Sequence, residues 1–284
     1  MKHLAGFAAG LLGIAALATA QAKSPGMVFP SDSPPAAAGG AAGLLESVCP
    51  GKVLAGKAVA CKGACPASTG FAGTTEPDGW WVSAVTRGHF LSPSSDDAAL
   101  AMAGCEPHAA NFGGTVLLTS QAGGWKMRWY KAGLITDQCH KLPREDGRDL
   151  LVCSGGWTGQ GITSMSLFLI DLAAASPEEG KPFFRAEDST GACGGMDRDH
   201  PGPIAAASID KVAFLDRKTG GLPAISVTAS FGRKAMTPAQ WQSCIDGKLP
   251  PTPVKTYNLE FQFDGREYKP VPASAAAARL FEEQ

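Results

Sequence analysis

Three short stretches of this 284-residue chain carry residue types that could do chemistry. CKGACP (61–66) sets Cys61 and Cys65 with three residues between them. Two soft thiolates at that spacing can hold copper, and the gap is one residue wider than that of a dithiol redox pair. GACGG (191–195) places Cys193 in a glycine-rich turn. There, backbone N–H groups can converge on an oxyanion, with His89 and His140 upstream as candidate bases. MDRDHP (196–201) gathers Asp197, Asp199 and His200, two hard oxygen donors and an imidazole that suit a divalent metal. No H-E-x-x-H pair supports the metal reading, and no G-x-S-x-G elbow, P-loop or dinucleotide fingerprint occurs.

A second reading of the same cysteines competes with the first. The chain has eight: Cys49, Cys61, Cys65, Cys105, Cys139, Cys153, Cys193 and Cys244. An even number in an exported chain reads as four disulfides, with Cys139 and Cys153, which flank one short loop, as the expected pair. Oxidation would remove the thiolates that copper or nucleophilic chemistry needs. On this reading the chain needs no cofactor.

Export itself is read from the first 22 residues. Lys2 and His3 precede an uncharged run from Leu4 to Ala18, and Ala18-Thr19-Ala20 and Ala20-Gln21-Ala22 are both small-x-small cleavage sites. That is the three-part pattern of a secretory leader. A periplasmic or secreted location follows, with no membrane insertion after the leader is removed. Removal takes one of 25 basic residues and none of 26 acidic ones, so the net charge goes from −1 to −2. Scattered charge of that size gives no footprint for nucleic acid.

The elements that would position any site are strands. Residues 23–43 are rich in Pro, Gly, Ala and Ser and read as a flexible linker. Residues 44–271 read as a single disulfide-bonded β domain. Trp125, Met127 and Trp129 alternate with Lys126, Arg128 and Tyr130. Ile225, Val227 and Ala229 alternate with Ser226, Thr228 and Ser230, and Tyr257, Leu259, Phe261 and Phe263 do the same with polar neighbours. Period two predicts one buried and one wetter face. Leu150-Leu151-Val152-Cys153 is continuously apolar, as in a strand covered on both sides. Two short helices are expected. One lies at 237–245, where Thr237, Pro238 and Gln240 give a cap, an N1 proline and a capping-box partner. The other lies at 274–283, within a helical tail (272–284) read as a peripheral cap.

The strands repeat. Each unit runs short strand, long loop, strand, tight turn, strand: 98–104, 114–120 and 125–130; then 149–153, 164–172 and 181–186; then 224–230, 256–263 and 266–271. VAFLD (212–216) forms an extra strand. Repetition of this kind predicts an all-β fold, a propeller-like antiparallel meander, with a β-sandwich as the alternative. GRDLLVC and GLPAISVTAS resemble the inner-strand segments of FG-GAP-type, integrin-α-like propeller repeats, and the rhythm extends over roughly residues 88–271. The resemblance implies a propeller. The family's calcium loop, D-x-D-x-D-G, is not reproduced by EDGRD (145–149) or FDGRE (263–267), so it implies no calcium here. CKGACP likewise resembles the motif of copper chaperones for cytochrome oxidase, which are thioredoxin-like α/β proteins, and GACGG resembles the nucleophile turn of chymotrypsin-like cysteine proteases. The chaperones' α/β fold does not match a β-rich chain, and the double-barrel pattern of the proteases is not evident in the sequence.

The long loops fall at the same place in each unit, and repeat proteins commonly bind through such loops. The candidate binding residues are Glu106, His108 and Asn111 in loop 105–113, Trp157 and Gln160 in loop 155–163, and Arg233 and Trp241 in loop 232–253. The functional expectation is an exported binding protein whose partner is a glycan or an envelope protein. A secreted hydrolase using carboxylates or a metal on the same face is the alternative.

Overall fold

The structure is a computed structural model, and it describes residues 27–33, 40–55, 59–61, 80–104, 113–175, 177 and 181–282. The leader, Cys65, Cys105, Glu106, His108 and Asn111 lie outside the described residues.

The fold is all-β, built from three antiparallel sheets in chain order. Sheet I has six strands: β1 (Val53–Ala55), β2 (Val59–Cys61), β3 (Trp80–Gly88), β4 (Asp97–Ala103), β5 (Thr115–Gln121) and β6 (Gly124–Lys131). Sheet II holds β7 (Cys139–Pro143), β8 (Asp149–Gly159), β9 (Ile162–Ile170) and β10 (Phe184–Asp188). Sheet III holds β11 (Ile204–Thr219), β12 (Leu222–Lys234), β13 (Lys255–Phe263) and β14 (Tyr268–Pro270). Every strand pairs with its chain neighbour, so each sheet is a meander. The repeat is one strand longer than the sequence suggests, because β3, β7 and β11 precede the three strands of each unit.

Sheet II is the middle layer. Leu150 and Val152 of β8 join a core with Ile225, Val227, Leu259 and Phe261 of sheet III. Leu151 and Cys153, on the opposite face, join Ala99 and Leu117 of sheet I. A strand buried on both faces has no polar side to show, which is why this run does not alternate. The far face of sheet I is covered by α1 (Ala41–Leu45), whose Leu44 and Leu45 pack with Trp80, Leu100 and Leu118. The far face of sheet III stays wet. Ser230 donates to Asp210 at 2.7 Å, and Thr228 donates to Asn258 at 3.0 Å.

β6 departs from its alternating sequence. Leu117 pairs with Trp129 and Leu118 with Met127, so Arg128 is bulged out of the ladder. The extra residue reverses the phase of the strand. Trp125 therefore packs toward the core beneath α1, and Trp129 toward the core shared with sheet II.

The helices at the end of the chain differ in role. α2 (Pro238–Ile245) carries the expected capping box between Thr237 and Gln240 and buries no residue. α3 (Pro272–Glu282) is more than a peripheral cap: Ala278 and Phe281 are buried in the core between sheets II and III. The Phe281 ring lies 5.0 Å from Phe184 and 5.3 Å from Phe231, within the range of favourable aromatic pairing.

Residues 27–33, read from composition as part of the linker, are docked. Val28 bridges β11 in parallel, donating to Asp210 and accepting from Val212. Asp32 donates its backbone N–H to Cys139 on β7 at 2.7 Å, and its carboxylate accepts from Lys141 at 2.8 Å. The Ser33 hydroxyl lies 2.5 Å from that of Thr86 on β3. This strap thus touches one strand of each sheet: β3, β7 and β11. Met27 and Phe29 anchor it, with Phe29 edge-on to Phe214.

Candidate functional site

The loop ends of the second and third units meet, by routes the sequence only partly foretells. The stretch 155–163 is no long loop. It is a hairpin, with β8 running to Gly159 and β9 starting at Ile162. Gln160 and Gly161 form the two-residue turn, both at positive φ (50° and 77°). Such a turn matches the right-handed twist of its strands. Its tip abuts a 3₁₀ turn at Thr190–Ala192: a Cβ on Gly161 would stand 2.2 Å from the Gly191 backbone.

Beyond that turn, Cys193 is bonded to Cys244 on α2, and the Trp241 indole donates to the Gly195 carbonyl at 2.9 Å. The disulfide and the indole pin α2 and the segment after it over the start of β11. That segment, LPPTP (249–253), is stiffened by three prolines. It crosses β12 at Gly232, where a Cβ would lie 2.0 Å from the Pro253 carbonyl oxygen. Only a residue without a side chain allows that approach.

Between these pieces lies a cleft of about 520 Å³, lined by Asp188, Thr190, Ile204, Ala206, Leu249 and Thr252 among others. Its walls are mostly apolar, with a few fixed polar groups, as small-ligand sites usually are. Asp188 Oδ1 accepts from the Thr190 N–H at 2.9 Å and from its hydroxyl at 2.5 Å. Thr252 is 9% exposed, and its Oγ1 has no hydrogen-bond partner among the described residues. A buried hydroxyl without a partner is unfavourable, and this one lies beside the cleft that Thr252 helps to line.

The residues singled out from sequence divide as follows. Trp241 and the Gln160 turn belong to this junction, although neither side chain lines the cleft. Arg233 pairs with Ala205, so it alternates with Gly232 and Lys234 and lies on the face of sheet III opposite Ile204 and Ala206. Trp157 is 48% exposed along the β8–β9 hairpin. Glu106, His108 and Asn111 lie outside the described residues. Asp188 and Thr252 were missed. The one signal for Thr252 was its position inside a proline run, which fixes a backbone without naming a ligand.

The chemical motifs resolve in favour of disulfides. Cys61 is bonded to Cys49, which takes it out of any thiolate pair with Cys65. Cys193 is bonded to Cys244 and cannot serve as a nucleophile in that state. Cys139 and Cys153 pair as the sequence predicts, directly opposite each other on β7 and β8. Asp197 Oδ1 accepts from the N–H groups of Asp199 and His200, closing an exposed turn. The side chains of Asp199 and His200 are largely exposed, and among the described residues no cluster of three or more His, Cys, Asp or Glu is arranged to hold a metal. No helix among the described residues is long and apolar enough to cross a membrane. No family model matches the chain, and comparison with curated proteins and with solved structures finds no match to it.

Proposed function

We propose that this chain is an exported binding protein that takes a small ligand or a short stretch of a larger partner in the cleft beside Thr252. The observation that carries the reading is a cleft beside the buried, unpartnered Thr252 hydroxyl, with walls locked by Cys193–Cys244 and by Trp241–Gly195. Preorganised walls lower the ordering cost of binding. The disulfides fit an oxidising compartment, periplasmic or extracellular, and the leader-like N-terminus supports the same destination. Glycans and extended peptides of the envelope are the partner classes that a hydroxyl, a carboxylate and apolar walls suit. A hydrolase reading is less well supported, because Asp188 is the single carboxylate among the lining residues, and carboxylate-based hydrolysis uses a pair.

The test is a glycan and peptide array probed with the exported protein, followed by Thr252→Val. The substitution removes the hydroxyl and keeps the shape. Affinity for the selected partner should fall about tenfold, the usual scale for one lost hydrogen bond in a buried site. Unchanged affinity in folded Thr252→Val would reject the site.

A further inference from the structure

A second cleft lies elsewhere in the molecule. It runs between sheets I and II and beneath the strap, in two arms of about 310 and 290 Å³. Both arms are lined by Ser83, Asp137 and Gln138, where they meet. It shares no lining residue with the Thr252 cleft.

Asp137 is the only charged side chain lining either arm, and it has no basic partner among the described residues. It stands just before β7. The residue is exposed, yet the surrounding protein desolvates its carboxyl enough to raise it above the ordinary carboxylate range, against the lowering effect of its own N–H and that of Gln138. The other polar groups are both donors and acceptors. Gln138 Oε1 is already held by the Ser154 hydroxyl at 2.9 Å. Beyond the Cys139–Cys153 pair, β8 continues through Gly155 and Gly156 paired to β9 on one side, with no strand on the side that β7 occupied. The Ser154 N–H donates to the Gln138 carbonyl, so the alternating backbone groups of Gly156 point the same way, into this cleft. Met102, Met165 and Phe29 supply apolar wall.

One carboxylate without a basic partner among the described residues, an open backbone carbonyl and apolar walls without a cation make a site of one charge sign. We infer that this cleft binds a small primary ammonium, with Asp137 as its counter-ion and the methionine-lined arm holding an aliphatic body. An ammonium donates three hydrogen bonds and accepts none, which suits the Asp137 carboxylate and the Gly156 carbonyl. A cation entering would also restore the charge compensation that Asp137 lacks.

The experiment is calorimetric titration of the mature protein with 1,4-diaminobutane and with 1,4-butanediol, its neutral counterpart. The diamine should bind, and the diol should bind at least about tenfold more weakly, the scale of one charge-assisted contact. Asp137→Asn should reduce diamine affinity by a similar factor. Asp216→Asn, which removes an exposed carboxylate elsewhere on β11, should leave it unchanged. Amide shifts of wild-type protein on adding diamine should centre on Ser83, Gln138 and Gly156, which keeps the question open to test even if Asp137→Asn fails to fold. Equal binding of diamine and diol, no diamine binding, an equal loss in Asp216→Asn, or shifts centred elsewhere would each overturn the assignment.

Discussion

The indole nitrogen of Trp241 donates to the carbonyl of Gly195 at 2.9 Å, across 46 residues of sequence. Three residues along α2, Cys244 is bonded to Cys193, so the lobe is fastened twice to the same turn. Trp241→Phe keeps the ring and loses the hydrogen bond. It should cost about 1 kcal/mol, the usual net value of such a bond, and speed amide exchange over 238–246. Replacing Cys193 and Cys244 by serine should cost more, up to about 4 kcal/mol on a chain-entropy estimate for a loop of this length. Thermal unfolding of the two variants checks the order. A larger loss from Trp241→Phe would mean that the disulfide contributes little to the lobe.

Ser33 should matter more than its place near the N-terminus suggests. Its Oγ accepts from the Cys139 N–H at 3.2 Å and contacts Thr86, joining the strap to two sheets. Ser33→Ala leaves the Cys139 N–H without that acceptor. The expected loss is about 1–3 kcal/mol, the cost of an unsatisfied buried donor. Denaturant unfolding measures it, and a change within about 0.5 kcal/mol, the usual range for surface substitutions, would show that the strap is only loosely attached.

Much of the fold was legible in the sequence because burial leaves a period. The doubly covered β8 and the half-buried β12 and β13 were read correctly from Leu150–Cys153, Ile225–Ala229 and Tyr257–Phe263. The errors have physical causes. A bulge at Arg128 changes which face Trp129 takes while leaving the apolar pattern intact. Gly155, Gly156 and Gly159 made a strand look like a loop, because glycine is depleted from strands in general but accepted where backbones crowd. The strap offers only Met27 and Phe29 as apolar anchors within a Pro- and Ala-rich stretch, so its docking, which rests on hydrogen bonds to three distant strands, leaves no local signature. The clefts were illegible for the same reason: Asp137 and Ser83, or Asp188 and Thr252, are neighbours only after the sheets stack.

Asp137 should make the protein less stable at neutral pH than it would be without the charge. In the unfolded chain its carboxyl titrates near 3.8, and in the folded chain at a higher pH because burial disfavours the anion. The folded state therefore holds the extra proton across the window just above 3.8, and stability falls as pH rises through that window. Asp137→Asn should raise the melting temperature at neutral pH and leave it unchanged at about pH 3, below both titrations. A lower melting temperature at neutral pH would show that the carboxylate is structurally paired.

Tyr268 predicts the alkaline limb. Its hydroxyl donates to the Pro223 carbonyl at 2.8 Å, and burial pushes its phenol well above the usual 10.0. Above pH 10 the unfolded chain loses this proton while the folded chain keeps it, so stability should fall as pH rises. Tyr268→Phe should flatten that fall while costing about 1 kcal/mol at neutral pH for the lost hydrogen bond. Melting curves from neutral to alkaline pH, compared between the two proteins, check it. Identical alkaline slopes would assign the fall to other groups.

Gly161 at the candidate site is constrained by both backbone conformation and contact, and it yields the sharpest contrast. Gly161 sits at φ 77°, and a Cβ there would lie 2.2 Å from the Gly191 backbone carbon and 2.5 Å from the Ala192 nitrogen. Alanine would thus meet both an unfavourable backbone conformation and a clash with main chain, which cannot swing aside as a flexible side chain can. Gly123, in the turn between β5 and β6, has no atom within 4 Å of the corresponding position and no positive φ. Gly161→Ala should therefore destabilise by about 2 kcal/mol or more, as overpacking and strain combine. Gly123→Ala should lie within about 0.5 kcal/mol of the parent. The readout that separates local from global damage is amide exchange: Gly161→Ala should loosen 190–195 and α2 before it loosens the core strands β8 and β12. Uniform loosening, or two variants of equal stability, would mean that the hairpin tip does not brace the 190–195 turn, and with it the wall of the Thr252 cleft.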